Sequence, residues 1–366
     1  MHAAELIKQI RLQQPDAHFA GLGGDYMAAA ECRIYQHIRR MAFMGFAAVL
    51  ANYGQIRENF RIARKALLDE HPDALILIDY PSFNLRMAAF CKQHLPNTKI
   101  YYYIPPKVWA WKRRRIHKIA RLCDEVLGIF PFEPAFYAKY GYRCTYVGNP
   151  TAEVIQRSGL TVQRSYSEAV LQRSDQTIAI LPGSRPSEIK NCLPRMLEAA
   201  RLFPDYRIIV AAAPSMPDDY YTPYLTARDT LTRDTYAAVR EASAAIVNSG
   251  TATLETALLG CPQVAVYHLA LPRLVALIRW IAQPLMFSIK HFTLVNIIAG
   301  REVIKECIAE KFTVNNVSAE LDRLLHDEAH KKELLASYEQ LSAILGSQPA
   351  SVTAAAIITN QNPSIQ

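Results

Sequence analysis

The feature that most constrains the fold of this chain is an alternation of short apolar segments with longer amphipathic segments. Each apolar segment is continuous, as is typical of strands whose two faces are both covered by helices. The alternation occurs in both halves of the chain and predicts two doubly wound α/β units that face a cleft. The predicted strands cover residues 19–22, 74–78, 100–104, 125–129 and 145–147, then 177–181, 207–211, 244–247 and 263–267.

The length of 366 residues, of which 51% are hydrophobic, suits two domains with separate cores. A polar stretch over residues 151–176 contains no convincing strand, so we place the domain boundary there. The N-terminal domain is predicted to cover residues 1–160 and the C-terminal domain residues 161–345. Residues 346–366 form a tail that packs back on the N-terminal domain or frays. The chain opens in a helix, so the first strand of the N-terminal domain is missing in this interpretation.

Composition excludes several classes of protein. Seven scattered cysteines without a CxxC pair argue against a disulfide framework or a structural zinc site and favour a reducing compartment. The first residues lack the pattern of a signal peptide. The longest apolar stretches, near residues 43–50 and 264–287, are too short or too interrupted to span a membrane. We therefore expect a soluble protein.

A formal net charge of +8 predicts an anionic partner: nucleic acid, an anionic lipid surface or a phosphorylated substrate. The basic residues are mostly dispersed and no nucleic-acid-binding module is present, so no nucleic acid is expected. The densest basic run, 112–115, follows two tryptophans, which suits a membrane interface. The alternative is a solvated helix start with packed tryptophans. The residues predicted to dock on membrane or acyl chains are Met41, Phe43, Met44, Phe46, Val49, Leu50, Trp109, Trp111, Arg113 and Arg114.

Two loops in the second half suit a nucleotide diphosphate. In the first, Gly183, Ser184 and Arg185 follow an apolar strand and precede a helix, so backbone N–H groups and a guanidinium can cradle phosphates. A plain structural turn is the alternative.

The second loop, with Ser249, Gly250 and Thr251, also joins a strand to a helix, and Glu255 is placed to accept hydrogen bonds from ribose hydroxyls. Ordinary helix capping is the alternative here. Two such loops at strand ends in one domain favour the diphosphate site.

In the first half, Asp79 ends an apolar strand and is placed to take a proton from an attacking hydroxyl. The alternative is an aspartate that holds backbone amides at a helix start. Asn296 and Arg301 lie in a segment, 296–306, predicted to join a loop to a helix, and either side chain could touch substrate. The glycine turn 21–24 lacks the dinucleotide fingerprint, so a nicotinamide cofactor is not expected.

Taken in order, these segments resemble the lipid-A-disaccharide synthase family along nearly the whole chain. The resemblance rests on an ordered series of motifs, none of which is specific alone. The motifs cover residues 21–24, 41–46, 78–84, 105–111, 130–133, 181–185, 249–255 and 296–306.

The resemblance implies a GT-B glycosyltransferase with two Rossmann-like domains, the donor nucleotide lying in the second. It implies inverting transfer of 2,3-diacylglucosamine from its UDP derivative to the 6-hydroxyl of 2,3-diacylglucosamine 1-phosphate (lipid X), with neither metal nor cofactor. By position, Asp79 matches the general base, Arg185 the diphosphate ligand, and Glu255 and Asn296 donor-site motifs. The resemblance further implies a cytoplasmic enzyme on the inner face of the inner membrane, and a homodimer is possible.

The chain departs from this family in two respects. It lacks the family's opening strand and its Gly-Glu-x-Ser-Gly-Asp loop, and Ser82 stands where some relatives carry a second acid. The rival interpretations are a UDP-sugar 2-epimerase, a transferase of the lipid-linked peptidoglycan precursor, a basic nucleic-acid-binding protein and an inactive truncated homologue.

Overall fold

The computed structural model describes residues 1–41, 53–110, 112–159, 176–269 and 291–360. The chain forms two compact units, and each is an α/β unit with parallel strands. The first unit contains Met1–Pro150 together with Gln348–Gln366, and the second contains Thr151–Ser347. The division falls after Pro150, whereas the sequence analysis placed it after residue 160.

The first unit contains two parallel sheets. Strands β1 (Ala20–Gly23) and β2 (Arg33–His37) pair with each other. Strands β3 (Ala74–Ile78), β4 (Lys99–Tyr103), β5 (Glu125–Gly128) and β6 (Thr145–Tyr146) form the second sheet in chain order. The helices are α1 (His2–Gln13), α2 (Asp25–Ala29), α3 (Tyr53–Glu70), α4 (Pro81–His94), α5 (Arg115–Leu122) and α6 (Glu133–Ala138). Helix α7 (Pro150–Arg157) begins at the last residue before the division and otherwise belongs to the second unit.

Strand β4 is the centre of this unit, and its apolar residues are buried on both faces. Tyr102 packs toward a cluster that includes Leu85 of α4 and Ile116 of α5. Tyr101 and Tyr103 pack toward a cluster that includes residues of α1 and of the last helix. Burial on both faces explains why the β4 sequence is continuously apolar rather than alternating.

The C-terminal residues belong to the first unit. Helix α14 (Ala350–Asn360) packs against α1, with Ala354 and Ile358 in the same buried cluster as Leu6. The Thr359 hydroxyl donates to Gln13 Oε1 at 2.8 Å. The two ends of the described chain therefore share one core.

The second unit is built on one six-stranded parallel sheet with the order β12-β11-β10-β7-β8-β9. From β7 the chain first adds β8 and β9 on one side and then returns to add β10, β11 and β12 on the other. The order reverses between β7 and β10, and at such a point the carboxyl ends of the strands open a ligand-binding crevice. The strands are β7 (Thr177–Leu181), β8 (Arg207–Ala211), β9 (Asp229–Thr232), β10 (Ala244–Asn248), β11 (Gln263–Tyr267) and β12 (Lys305–Ile308), and the helices are α8 (Pro186–Ala200), α9 (Thr235–Glu241), α10 (Thr251–Leu258), α11 (Leu294–Ala299), α12 (Val314–His326) and α13 (Glu328–Leu345).

One stretch, Glu328–Asn360, is long and apolar enough to cross a membrane by length and composition alone. It consists of two helices, α13 and α14, that are separated at Gly346. Many of their apolar residues, among them Leu341 and Ile358, are buried inside the protein, whereas Ile344 and Val352 are exposed. These properties are those of core helices, so the stretch is weak support for a membrane span.

Candidate active site

Asp79 lies on a strained turn at the carboxyl end of β3. Asp79 and Tyr80 have φ angles of 45° and 39°, so two consecutive non-glycine residues occupy the left-handed region. Such residues cost on the order of 1–3 kcal/mol each and persist only where the surroundings hold them. Here the Asp79 carbonyl accepts hydrogen bonds from the Tyr102 hydroxyl at 2.8 Å and from Asn84 Nδ2 at 2.7 Å. The fold therefore maintains an unfavourable turn that carries this carboxylate.

The Asp79 side chain does not cap the helix that follows. The N-cap of α4 is Tyr80, and the first turn receives no side-chain hydrogen bond. Asp79 is exposed, and its carboxylate has no hydrogen-bonded partner among the described residues. The capping alternative considered from the sequence is therefore not supported, and the free carboxylate fits the predicted general base.

Two cations lie near this turn. Desolvation lowers the pKa of Lys107, although the residue keeps exposed surface, and the carboxylates of Asp79 and Glu133 oppose this effect. Arg115, at the start of α5, places Nη2 at 3.4 Å from the Ser82 hydroxyl. Lys107 and Arg115 are therefore the cations closest to this turn that the described contacts identify.

Glu133 is a buried carboxylate to which the sequence analysis gave no role. It is fully buried, its Oε1 accepts from Trp109 Nε1 at 3.1 Å, and its Oε2 accepts from the backbone of Ile129 and Phe130 at 2.8 and 3.0 Å. Desolvation raises the pKa of Glu133 to about 7, even though these donors and Lys107 favour the charged form. The side chain thus fixes the loop after β5 and the tryptophan that packs on it.

Glu133→Gln is expected to lower the free energy of unfolding by about 1–3 kcal/mol at about pH 5, because the amide presents an N–H group to a buried donor. The folded-state pKa of about 7 lies above the ordinary value of 4.5. Between about pH 4.5 and pH 7 the folded chain keeps the Glu133 proton that the unfolded chain releases. The contribution of protonated Glu133 to the free energy of unfolding is therefore complete below about pH 4.5 and declines as the pH rises to about 7. Urea unfolding of the wild-type chain and of the Glu133→Gln variant at about pH 5 and pH 8 measures the two free energies of unfolding. If the stability that the variant loses relative to the wild type is larger at pH 8 than at pH 5, the prediction is contradicted.

Two of the residues predicted to dock on a membrane, Trp109 and Met41, are buried in the protein, so those two predictions were wrong. Trp109 is buried, because its ring packs edge-on against Phe130 and Phe132 and its N–H group binds Glu133. Met41 is buried in a cluster with Phe83. Arg113 and Arg114 are exposed, and their docking role stays a prediction. The other predicted docking residues lie outside the described residues: Phe43, Met44, Phe46, Val49, Leu50 and Trp111.

The first predicted phosphate loop follows β7 in the second unit. Gly183 has a φ of 111°, and a Cβ there would lie 2.5 Å from Glu188 Oε2 and 2.7 Å from Asn248 Nδ2. Only glycine fits this position, where the ends of β7 and β10 approach. Ser184 and Arg185 are exposed, and Arg185 forms the N-cap of α8.

Glu188, in the first turn of α8, forms hydrogen bonds with two residues of this loop. Its carboxylate accepts from Ser184 N at 3.0 Å and from Arg185 Nη1 at 3.1 Å. These are donors that the sequence analysis assigned to a diphosphate. The guanidinium of Arg185 keeps its remaining N–H groups for a ligand, whereas the Ser184 amide is occupied by Glu188 in this structure.

The second predicted phosphate loop follows β10, the neighbour of β7. The N-cap of α10 is Gly250, and the first turn receives no side-chain cap. Thr251 is exposed at the first position of this helix. Since Ser249 and Thr251 do not cap the helix, the capping alternative fails and the first-turn amides remain available to an anion.

Glu255 lies one turn into α10. It is partly buried, its pKa is raised by desolvation, and no described residue hydrogen-bonds its carboxylate. Glu255 in turn contributes to raising the pKa of Tyr236, after the larger effect of burial. A partly buried carboxylate without donors is unfavourable, and the hydroxyls of a bound ribose would supply the missing donors.

Asn296 and Arg301, both predicted to bind substrate, form hydrogen bonds with other residues of the second unit. Asn296 is fully buried, and its side chain binds the backbone of Val303 and Ile304 and the carboxylate of Glu306. Arg301 donates to Ser337 and Gln340 of α13. The prediction for Asn296 was wrong, because every hydrogen-bonding group of its side chain is used to fold the segment between α11 and β12.

The local structure of this segment also differs from the prediction. Residues 296–306 run from a helix into a strand, not from a loop into a helix. Glu306 lies on β12, and its carboxylate accepts hydrogen bonds from the backbone N–H groups of Phe292 and Thr293 before α11.

Among the described residues, no group of three or more His, Cys, Asp or Glu side chains is arranged to hold a metal ion. All seven cysteines lie in described segments, and each is a buried free thiol.

The geometry can be compared with known proteins. A family model for lipid-A-disaccharide synthetase matches residues 1–358. The lipid-A-disaccharide synthase of Trichlorobacter lovleyi is 36% identical over 335 residues, which cover 89% of this chain and 85% of that protein. A putative UDP-N-acetylglucosamine 2-epimerase from Listeria monocytogenes has a TM-score of 0.62 at 12% identity and covers 98% of this chain and 93% of its own.

The calicheamicin glycosyltransferase CalG4 has a TM-score of 0.57 at 13% identity, covering 99% of this chain and 94% of its own. At such identities the solved structures show the fold alone, and they confirm the predicted two-domain GT-B architecture. The family match and the curated relative confirm the resemblance drawn from the motifs. The chain therefore belongs to the lipid-A-disaccharide synthetase family and is a glycosyltransferase of lipid A biosynthesis.

Proposed function

We propose that this chain transfers 2,3-diacylglucosamine from its UDP derivative to the 6-hydroxyl of 2,3-diacylglucosamine 1-phosphate. The product is the β-1,6-linked disaccharide 1-phosphate, and UDP is released. The observation that carries the proposal is the free carboxylate of Asp79 on its strained turn. An exposed acid without a hydrogen-bonded partner is available to a hydroxyl of the acceptor.

The reaction is a single displacement that inverts the donor's anomeric carbon. Asp79 takes the proton of the acceptor 6-hydroxyl while that oxygen bonds to the donor C1. The bond from C1 to the diphosphate oxygen breaks, and UDP leaves with the electron pair. One base suffices, and no covalent enzyme intermediate forms.

In this proposal no divalent metal neutralises the leaving diphosphate. The guanidinium of Arg185 and the uncapped first turn of α10 supply positive charge in the second unit. Guanidinium groups and helix N-termini both stabilise phosphate anions. Glu255 is proposed to accept hydrogen bonds from the ribose.

Both substrates carry acyl chains, so we propose that the enzyme works at the cytoplasmic face of the inner membrane. Arg113 and Arg114 are exposed and have no carboxylate partner among the described residues. Each cation near an anionic surface contributes about 1 kcal/mol of binding.

The double variant Arg113→Ala/Arg114→Ala is therefore expected to weaken binding to vesicles of anionic phospholipid by about 2 kcal/mol. Co-sedimentation measures the binding. Lys8→Ala/Lys99→Ala removes the same charge from exposed positions of the same unit and serves as the matched control. Equal loss in both double variants contradicts a docking role for the arginine pair.

UDP release with each substrate alone and with both together tests the proposed function. We expect release only when the acylated donor and the acylated acceptor are both present. A 2-epimerase would convert a UDP-sugar without an acceptor, and a peptidoglycan-precursor transferase would need a different lipid-linked acceptor. No release with both substrates, or equal release without the acceptor, contradicts the proposal.

A further inference from the structure

Arg115 is a cation held against the turn that carries Asp79. Its Nη2 lies 3.4 Å from the hydroxyl of Ser82, in the first turn of α4 and three residues after Asp79. Among the described residues, Arg115 has no carboxylate partner, whereas exposed arginines elsewhere in the unit, such as Arg33 and Arg61, pair with glutamates. Arg115 thus keeps most of its N–H donors free for an anion.

A second observation places Arg115 and Asp79 around the same atoms. Burial raises the pKa of the Tyr102 hydroxyl, Asp79 raises it further, and Arg115 opposes the shift. The Tyr102 hydroxyl donates to the Asp79 carbonyl. Asp79 and Arg115 therefore both lie near one buried tyrosine, whose hydroxyl is bonded to the turn at the carboxyl end of β3.

The position of Arg115 is set by the fold. Arg115 is the first residue of α5, and its N–H group binds the Lys112 carbonyl at 2.9 Å. Ile116 and Ile119 of the same helix are fully buried. A guanidinium on an anchored helix start is pre-organised, so little conformational entropy is lost when it binds a phosphate.

We propose that Arg115, with the Ser82 hydroxyl, binds the phosphomonoester of the acceptor. This inference rests on the proposed function, in which the acceptor is a sugar 1-phosphate that reacts at its 6-hydroxyl. The phosphate is carried by C1, and the 6-hydroxyl is carried by C6, which is bonded to C5. C1 and C5 are the two ring carbons that adjoin the ring oxygen. When the 6-hydroxyl lies at Asp79, the phosphate therefore lies about one sugar ring's width from that carboxylate. A bidentate contact between Arg115 and the phosphate then holds the 6-hydroxyl in position at the base.

The test compares the acceptor with and without its phosphate in detergent micelles, where membrane docking plays no part. With the wild-type chain, kcat/KM should be higher for the phosphorylated acceptor. Arg115→Ala should lower kcat/KM for that acceptor about 10- to 100-fold and leave the dephosphorylated acceptor nearly unchanged. Ser82→Ala should act in the same direction with a smaller effect. Arg121→Ala, an exposed arginine on the same helix, is the matched control.

Calorimetric titration with glucosamine 1-phosphate and with glucosamine gives a readout independent of turnover. We expect the phosphate to strengthen binding to the wild-type chain and to the Arg121 variant, and not to the Arg115 variant. Circular dichroism establishes that the variants fold.

The inference is overturned if Arg115→Ala lowers turnover of both acceptors equally, if it changes neither, or if glucosamine 1-phosphate binds the variant as well as the wild type. A wild-type chain that turns over neither acceptor refutes the proposed function instead, and the titration then still decides whether Arg115 binds a phosphomonoester.

Discussion

Asp79→Asn should lower kcat by about 10²- to 10⁴-fold, the usual contribution of a positioned general base. The amide has nearly the same shape but cannot accept the proton of the acceptor hydroxyl. The hydrogen bonds that hold the turn involve the Asp79 carbonyl, so the substitution leaves them in place. UDP binds the second unit in our proposal, and its Kd should therefore stay close to the wild-type value. Steady-state kinetics and calorimetry measure the two quantities.

Asp73→Asn is the matched control, since Asp73 is exposed just before the amino end of the same strand. It should leave kcat unchanged. If Asp79→Asn retains turnover within a few-fold of the wild type, another group takes the proton and the assignment of the base is wrong.

Arg185→Ala should weaken UDP binding about 10- to 100-fold, as expected for the loss of a charge-assisted hydrogen bond to a diphosphate. Removal of the guanidinium also leaves the Glu188 carboxylate without its partner at 3.1 Å, close to where the phosphates are proposed to bind. Like-charge repulsion then adds to the loss. Both Kd for UDP and KM for the donor should rise.

Lys190→Ala provides the comparison, because Lys190 is an exposed cation on the same helix, about one turn further along. It should bind UDP as the wild type does. Equal weakening in the two variants would point to a general effect of charge and not to a ligand contact by Arg185.

Every interior strand of the described sheets was predicted from the sequence, and so were the edge strands β1, β3 and β6. Segments such as β4 and β7 are buried on both faces and are therefore continuously apolar, and both were found. The missed strands are β2, β9 and β12, with the sequences RIYQH, DTLT and KECI. Each lies at the edge of its sheet, where one side lacks a neighbouring strand and polar residues are tolerated, so the apolar signal is lost.

The site was predictable where a residue type follows from backbone geometry. Gly183 and Asp79 both mark the carboxyl ends of parallel strands, the edge at which doubly wound sheets bind ligands, and Gly183 also lies where the strand order reverses. The roles of Trp109 and Asn296 were not predictable, because they depend on partners distant in sequence or in an unrecognised strand. The Trp109 side chain is buried against Glu133, and that of Asn296 against the backbone before β12. A tryptophan beside a basic run has the same local sequence whether its ring faces lipid or the core.

The central claim is that the second unit holds the UDP diphosphate while Asp79 deprotonates the acceptor. A crystal structure of the full chain with UDP and the phosphorylated acceptor tests it most directly. We expect the diphosphate within hydrogen-bond distance of Arg185 and the first turn of α10, and the acceptor 6-hydroxyl within about 3 Å of the Asp79 carboxylate. A diphosphate bound away from both loops, or an acceptor hydroxyl out of reach of Asp79, would contradict the account.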